Sequence, residues 1–468
     1  LHAWIVLLLG WLFLPFYIRS GAFTMPEFLE KRFDSRSRWF LSLFSLVAYV
    51  LTKVSVTIYA GGIVVSELLA IPFWYGAIGI VIFTGIYTVI GGMKAVIYTE
   101  TLQTVVLILG SVIITYLGLQ EVGGWSELRA TVTAVSPDHF NMWRPMSDPQ
   151  FPWTGLLIGG TIVGIWYWCT DQYIVQRTLA ANNIKIGRRG AIFGAYLKLL
   201  PILIFLVPGI IAFALSIQNP EVFSVDKADR AFPMLVKTLL PVGLKGLVAG
   251  GLMAALMSSL ASVFNSCSTI FTIDIYKKLK PEKSEASLLV TAKIATGFIV
   301  ILGIIWIPIM EKIGGGVMYQ YLQNVQSYIA PPVTAVFLLG IIWKRVNSKA
   351  AITTLMSGFL LLALRLGSEI YFQPQIAKNE VVSHVLYDFA IINFSHMAIF
   401  MFVFSVILCV TISLLTTAPD YKTIVGLSFG TLTEDQKQAH RDSYDRIDVL
   451  LSVILVFLVV GILCYFTG

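Results

Sequence analysis

The chain reads as an all-α, polytopic membrane protein with about twelve spans, and three observations predict it. Hydrophobic residues make up 57% of the 468 positions and charged residues only 13%, and the mean hydropathy is +0.81. Apolar runs of about 18 or more residues recur along the whole length, each long enough to cross a hydrocarbon layer of about 30 Å as a helix. Finally, the Lys and Arg residues of alternate loops are unequally shared.

The runs fall at 1–18, 38–70, 72–92, 100–120, 153–172, 190–217, 242–275, 286–310, 317–343, 350–372, 388–417 and 447–467. Helix is the only assignment that satisfies the backbone in lipid, because barrel strands would be about half this length and would alternate. The runs 38–70 and 242–275 exceed the bilayer and must tilt or project beyond it. One set of alternate loops holds 21 of the 33 Lys and Arg residues, from Arg19, Lys31, Arg32, Arg36 and Arg38 through Lys94 to Arg446, and the opposite set holds 8. The richer set is cytoplasmic, which puts residue 1 outside.

The formal charge of +7 is not gathered into a stripe interleaved with aromatics, which excludes nucleic acid as a partner. Cys169, Cys267, Cys409 and Cys464 lie in apolar runs without paired spacing and read as buried thiols. The outer loop 121–152 reads as a vestibule cover, 221–240 as a short amphipathic surface helix, and 418–446 as a solvated cytoplasmic linker before the last span. The whole chain forms one transmembrane domain. Leu1 opens directly in an apolar run with no initiator Met and no basic flank, the pattern of a chain cut at its N-terminus.

Ionisable and polar groups inside spans are expensive in lipid and therefore mark candidate sites. Lys198, in Tyr196-Leu197-Lys198-Leu199, and Lys53, well inside the second span, read either as hydrogen-bond donors to a bound solute or as structural ion-pair partners. Lys293 and Arg365 lie nearer span ends and read as anchors. The fifth span carries Gly159, Gly160 and Gly164 followed by Trp166-Tyr167-Trp168. That pattern suits either a ring-binding aromatic floor or helix packing with an interfacial belt. In the seventh span, Ala255, Ser258, Ser259, Ser262 and Ser266 share one helical face, as oxygen ligands for a hard cation or as a small-residue seam. The ninth runs Tyr321-Leu322-Gln323-Asn324-Val325-Gln326-Ser327-Tyr328-Ile329-Ala330-Pro331-Pro332, and the two prolines predict a broken or kinked helix beside an amide cluster. An embedded enzyme is excluded by the lack of intramembrane Ser/His pairs, paired carboxylates or metal-ligand histidines.

Taken in order, several stretches resemble the sodium/solute symporter family, and within it the sodium/glucose cotransporter branch. They are Thr24-Met25-Pro26-Glu27-Phe28-Leu29-Glu30-Lys31-Arg32-Phe33, Tyr87-Thr88-Val89-Ile90-Gly91-Gly92, Trp166-Tyr167-Trp168-Cys169 with Asp171-Gln172 and Val175-Gln176-Arg177, Tyr196-Leu197-Lys198-Leu199, Ala254 to Ser266, and Tyr328-Ile329-Ala330-Pro331-Pro332 with Trp343-Lys344-Arg345-Val346-Asn347. The resemblance implies a leucine-transporter-like fold of two inverted five-helix repeats plus extra helices, with solute and ion held between broken helices. By that pattern the chain begins within the second helix of the first repeat and lacks the helices before it. It also implies that Lys198 and Gln323 hydrogen-bond sugar hydroxyls, that Tyr167 is an inner gate with Trp168 beside it, and that the Ala255 carbonyl, Ser258 and Ser259 form half of the principal sodium site. Glu100 stands where sugar carriers with a second sodium usually have Asp, and the pattern places it across from Ser262. Gln326 replaces a smaller hydroxyl residue.

The expectation is therefore sodium-coupled symport, by alternating access across the plasma or inner membrane, of a small neutral solute such as glucose or galactose, with sodium as the co-transported ion. Two alternatives are a same-family carrier of an inositol, an amino acid or a carboxylate, and a solute-gated sensor or channel on the same scaffold.

Overall fold

A computed structural model describes the backbone of residues 2–224, 227–313, 318–378 and 380–467 and, apart from positions 87, 89–97, 99, 310–313 and 377, their side chains. Leu1 and the side chains of Tyr87, Val89, Ile90 and Lys94 thus lie outside the described residues. Among the described residues the chain is helical, and its β pairing is a single bridge between Asn141 and Thr467.

Among the described residues ten helices are long and apolar enough to cross a membrane, and two shorter apolar ones, Phe73–Ile86 and Gly155–Thr170, bring the total to the twelve predicted runs. In chain order the main helices are α1 (His2–Ser20), α2 (Ser35–Leu69), α3 (Phe73–Val122), α4 (Gly155–Thr170), α5 (Ile184–Gln218), α6 (Val242–Leu279), α7 (Glu285–Ile313), α8 (Met318–Ile342), α9 (Ser348–Ala377), α10 (Phe394–Leu415) and α11 (Arg446–Tyr465). Local chemistry sets the boundaries. α1 ends at Gly21 in the left-handed region, φ 61°, which a residue without Cβ adopts freely. The short helix Met25–Arg32 starts from Thr24, whose hydroxyl accepts from Glu27 N at 3.1 Å, while Glu27 accepts from Phe23 N, so two orphan donors are satisfied.

Three junctions differ from the sequence reading. Runs three and four share one unbroken helix, α3, of 50 residues, because no proline lies between Pro72 and Pro137 to force a loop at Lys94. α8 is likewise continuous through Pro331 and Pro332, so of the break or kink that the prolines predict the break does not occur; proline's fixed φ is itself helical, so lateral contacts can carry the weakened turn. α5, read as continuous, is interrupted by a turn at Lys198–Leu199 and then wound as a π-helix over Ile202–Leu206. Pro201 removes the donor that Leu197 would use, which ends the regular α ladder there.

The helices gather into two compact units. The first comprises residues 1–45, 142–198 and 323–465; the second comprises 46–141, 199–322 and 466–468. In the second unit the predicted surface helix forms at Ala231–Leu239, and Leu235 and Val236 join Leu128, Val132, Phe140 and Ile211 in a buried apolar cluster. In the first unit the stretch 418–446 is largely exposed and is tied to its neighbours at its C-terminal end. Arg188, fully buried, donates to Ser443 O at 2.8 Å and to Gly10 O at 3.2 Å. Arg189 meets Asp445 at 2.5 Å and Asp448 at 2.9 Å. Cys169, Cys267 and Cys409 are buried as expected, and Cys464 is exposed.

Candidate ion and solute site

The best-defined polar cluster lies in the second unit, where α3 and α6 run antiparallel and unusually close. A Cβ built on Gly110 would sit 2.6 Å from Val248, and one built on Gly251 would sit 2.8 Å from Val106, so only glycine permits the approach. This register carries Glu100 to the Ser258–Ser262 turn. Ser258 Oγ donates to Glu100 Oε1 at 2.9 Å, and Ser262 Oγ donates to the same oxygen at 2.8 Å. Ser262 is fully buried and Ser258 nearly so. The i, i+4 spacing aims two hydroxyls at one carboxylate, and Ser266 continues the face by donating to Ser262 O at 2.8 Å. Ser259 and Ala255 on the same helix are half-buried. Three oxygens therefore converge in an apolar setting, a donor set of the kind that hard cations take.

In the first unit, Tyr167 and Trp168 sit on a π-helical segment, Trp166–Thr170, that ends where Asp171 caps the next helix by accepting from Tyr173 N at 3.0 Å. Such wide turns free backbone groups and often coincide with functional sites. The two rings meet edge to face, 5.1 Å between centroids. Lys198, half-buried at the interruption of α5, places Nζ 5.1 Å from the Trp168 ring centroid, a cation–π contact. The Trp168 indole N–H donates to His2 Nδ1 at 3.1 Å.

The structure thus brings Lys198, Tyr167 and Trp168 together. Gln323 belongs to the same unit and shares no hydrogen bond with them among the described residues; its carbonyl accepts from Ser327 Oγ at 2.7 Å. Lys53 belongs to the second unit, on a π-helical turn of α2. It is 7% exposed, with Nζ 4.7 Å from the Tyr49 ring centroid.

One residue was misjudged and one contact missed. Arg365 is no interfacial anchor: it is 3% exposed and pairs with Glu369 at 2.8 Å. The i, i+4 spacing of opposite charges inside an apolar run was the available signal. The His2–Trp168 hydrogen bond had no signal in sequence, since it joins residues 166 positions apart.

Comparison with known proteins shows the family. The chain is 38% identical over 446 residues to the sodium/glucose cotransporter 4 of Mus musculus, covering 89% of this chain and 65% of that one. It is 37% identical to the sodium/mannose cotransporter of Bos taurus, covering 92% and 76%, and 38% identical to the sodium/myo-inositol cotransporter of Homo sapiens, covering 90% and 63%. The chain therefore spans about two thirds of the length of such relatives. A solved substrate-bound, outward-open structure of a Na+-coupled sialic acid symporter matches with a TM-score of 0.70 and 25% identity, over 89% of this chain and 83% of that one. The leucine-transporter-like fold expected from the sequence is thus the fold observed. The sodium:solute symporter family model matches residues 2–358, and the chain belongs to that family.

Proposed function

We propose that the chain is a sodium-coupled symporter of a small polyhydroxylated solute, a monosaccharide such as glucose or galactose, working by alternating access in the cell membrane. The observation that carries this reading is Glu100 Oε1 accepting from Ser258 and Ser262 at 2.9 and 2.8 Å. A carboxylate in an apolar span is expensive unless it is neutralised or holds a cation, and an all-oxygen set suits sodium over softer metals. Ser258, Ser259 and the Ala255 carbonyl are the proposed ligands of the principal sodium ion, and Glu100 with Ser262 those of a second. Ser258 belongs to the first set and touches the second through Glu100, so filling one site alters the hydroxyl available to the other.

On the solute side, Lys198 supplies hydrogen-bond donors, Gln323 an amide that donates and accepts, and Tyr167 and Trp168 flat faces for the apolar side of a sugar ring. Lys53 is a further candidate donor. Uptake is driven because each sodium ion moves one charge down the membrane potential, worth about 2.3 kcal/mol per 100 mV. A second reading, an inositol as solute, is favoured by the 38% identity to the human sodium/myo-inositol cotransporter, since a cyclic polyol presents the same hydroxyl chemistry.

Uptake of labelled glucose, galactose, mannose and myo-inositol into proteoliposomes, with an inward sodium gradient or with potassium in its place, tests the proposal. Sodium-dependent uptake of a hexose supports it, and uptake of myo-inositol alone favours the second reading. Solute-evoked sodium current without uptake of any of the four would make the chain a gated channel or sensor and overturn it.

A further inference from the structure

A polar triangle lies in the first unit, formed by residues to which the proposed transport cycle gives no role. Glu369 Oε1 accepts from Tyr328 Oη at 2.6 Å and from Arg365 Nε at 2.8 Å. Arg365 Nη2 donates to Ile392 O at 2.8 Å, in the turn between the short helix Val385–Ile391 and α10. The guanidinium lies 5.3 Å from the Tyr328 ring centroid and 5.7 Å from that of Phe389. Tyr328 is 1% exposed and Arg365 3%. An ion pair with this little access to water contributes little net stability compared with well-packed apolar residues. Its value must then lie in specifying geometry, and the surrounding chain indicates which geometry.

Tyr328 projects from the weakest turn of α8. Pro331 and Pro332 have no N–H to offer the carbonyls of Ser327 and Tyr328 four residues earlier, so the helical ladder lacks two consecutive rungs there. α8 is pinned to α9 on either side of that gap. A Cβ on Gly358 would fall 2.4 Å from the Pro332 ring, so the proline seats directly on the α9 backbone. About two and three turns further along the same face of α9 lie Arg365 and Glu369; Glu369 accepts from the Tyr328 hydroxyl, and Arg365 donates to the same carboxylate oxygen. Gln323 lies five residues before Tyr328 and is coupled to the gap through Ser327 Oγ, which donates to its carbonyl.

We propose that Tyr328, Glu369 and Arg365 form a positioning clamp that fixes the rotation and register of α8 at its proline-weakened turn and so aims Gln323 at the solute. The clamp rests on the reading of Gln323 as a solute ligand. None of its three residues touches the solute; they act through the backbone of α8.

The test uses Tyr328→Phe and Glu369→Gln, which keep shape and remove respectively one hydroxyl and one charge, in the full-length protein in proteoliposomes. Half-saturating sugar and sodium concentrations, maximal rate per inserted protein, and hydrogen exchange of α8 amides are measured for each variant, with Gln323→Ala and the Tyr328→Phe/Gln323→Ala double variant alongside. The clamp requires the half-saturating sugar concentration to rise about 3- to 10-fold, the effect of one lost hydrogen bond, while that for sodium stays within about twofold. It also requires faster exchange around Ser327–Ala330, and loss of the Tyr328→Phe effect once Gln323 is already Ala, because residues acting through one another are not additive. If Gln323→Ala weakens sugar binding but neither Tyr328→Phe nor Glu369→Gln alters sugar binding or α8 exchange, the clamp falls and the solute reading stands. If Gln323→Ala itself changes nothing, the solute reading falls and the clamp with it.

Discussion

Replacing Glu100 by Gln removes a charge while keeping the shape of the side chain, and its consequence can be worked from the Glu100–Ser258–Ser262 geometry. The amide oxygen can still accept from Ser258 and Ser262, which now lie 2.9 and 2.8 Å from Glu100 Oε1, so α3 and α6 stay packed on Gly110 and Gly251. What disappears is the attraction between a carboxylate and a bound cation, about 4 kcal/mol at a separation of 4 Å in an effective dielectric of 20. That is about a thousandfold in affinity, enough to empty a second sodium site at physiological concentration. On the proposed two-ion reading, coupling then falls from two sodium ions per solute to one. At a membrane potential of 100 mV the driving force drops from about 4.6 to about 2.3 kcal/mol, before the chemical gradient is counted, which lowers the steady-state accumulation ratio by about 50-fold. The assay is accumulation of labelled sugar at steady state in vesicles held at a fixed potassium diffusion potential. A steady-state ratio reports stoichiometry and is insensitive to a variant that is merely slow. An accumulation ratio unchanged by Glu100→Gln would refute the assignment of a second cation to this carboxylate.

Three further outcomes are expected. Gln323→Leu should raise the half-saturating sugar concentration about tenfold, the equivalent of about 1.4 kcal/mol for an unpaired sugar hydroxyl, with surface expression intact; equilibrium binding of labelled sugar checks it. Converting Ser258 and Ser259 together to Ala should shift sodium activation to higher concentration before it changes thermal stability, since Ala keeps the helix, and sodium titration of uptake beside a melting curve separates the two. His440, in the helix Glu434–Arg441, has its pKa lowered to about 4 by burial first and then by Arg188 and Arg19. The folded state therefore holds it neutral while the unfolded chain takes up a proton below about 6.5, so stability should fall as pH drops from about 6.5 toward 4 and level off below. A melting series across that range, flatter for His440→Gln, is the check.

The positions of the spans were legible because hydrophobic length is a local property of sequence, and among the described residues each of the twelve apolar runs is helical, two of them within α3. What happens at their junctions depends on partners remote in sequence. Pro331 and Pro332 mark a turn that lacks two backbone donors, but α8 runs through it unbroken, and what packs there, Gly358 against Pro332 and Glu369 against the Tyr328 hydroxyl, comes from another helix. Pro201 was an equally plain signal, and there α5 does give way at Lys198. The π-helical turns under Lys53 and Tyr167 had no compositional mark, because a wide turn costs little where neighbours donate to the freed carbonyls, as the Tyr17 hydroxyl does to Cys169 O. The Ser258–Ser262 face was readable from its period. That Glu100 meets it became an expectation only through family resemblance, since the closeness of α3 and α6 rests on Gly110 and Gly251 acting from different helices. Arg365 was misread because distance along a span says nothing about which way a side chain faces.

In the proposed cycle a sodium gradient does work on a polyol through this chain. The most direct measurement is the time course of labelled hexose in proteoliposomes loaded with equal sugar on both sides, at zero membrane potential, after a sodium gradient is imposed inward, outward or not at all. Sodium-coupled symport predicts transient accumulation above the starting level with the inward gradient, depletion with the outward one, and no net movement without one. Sugar that stays level under all three conditions, while exchanging freely across the bilayer, would contradict the account.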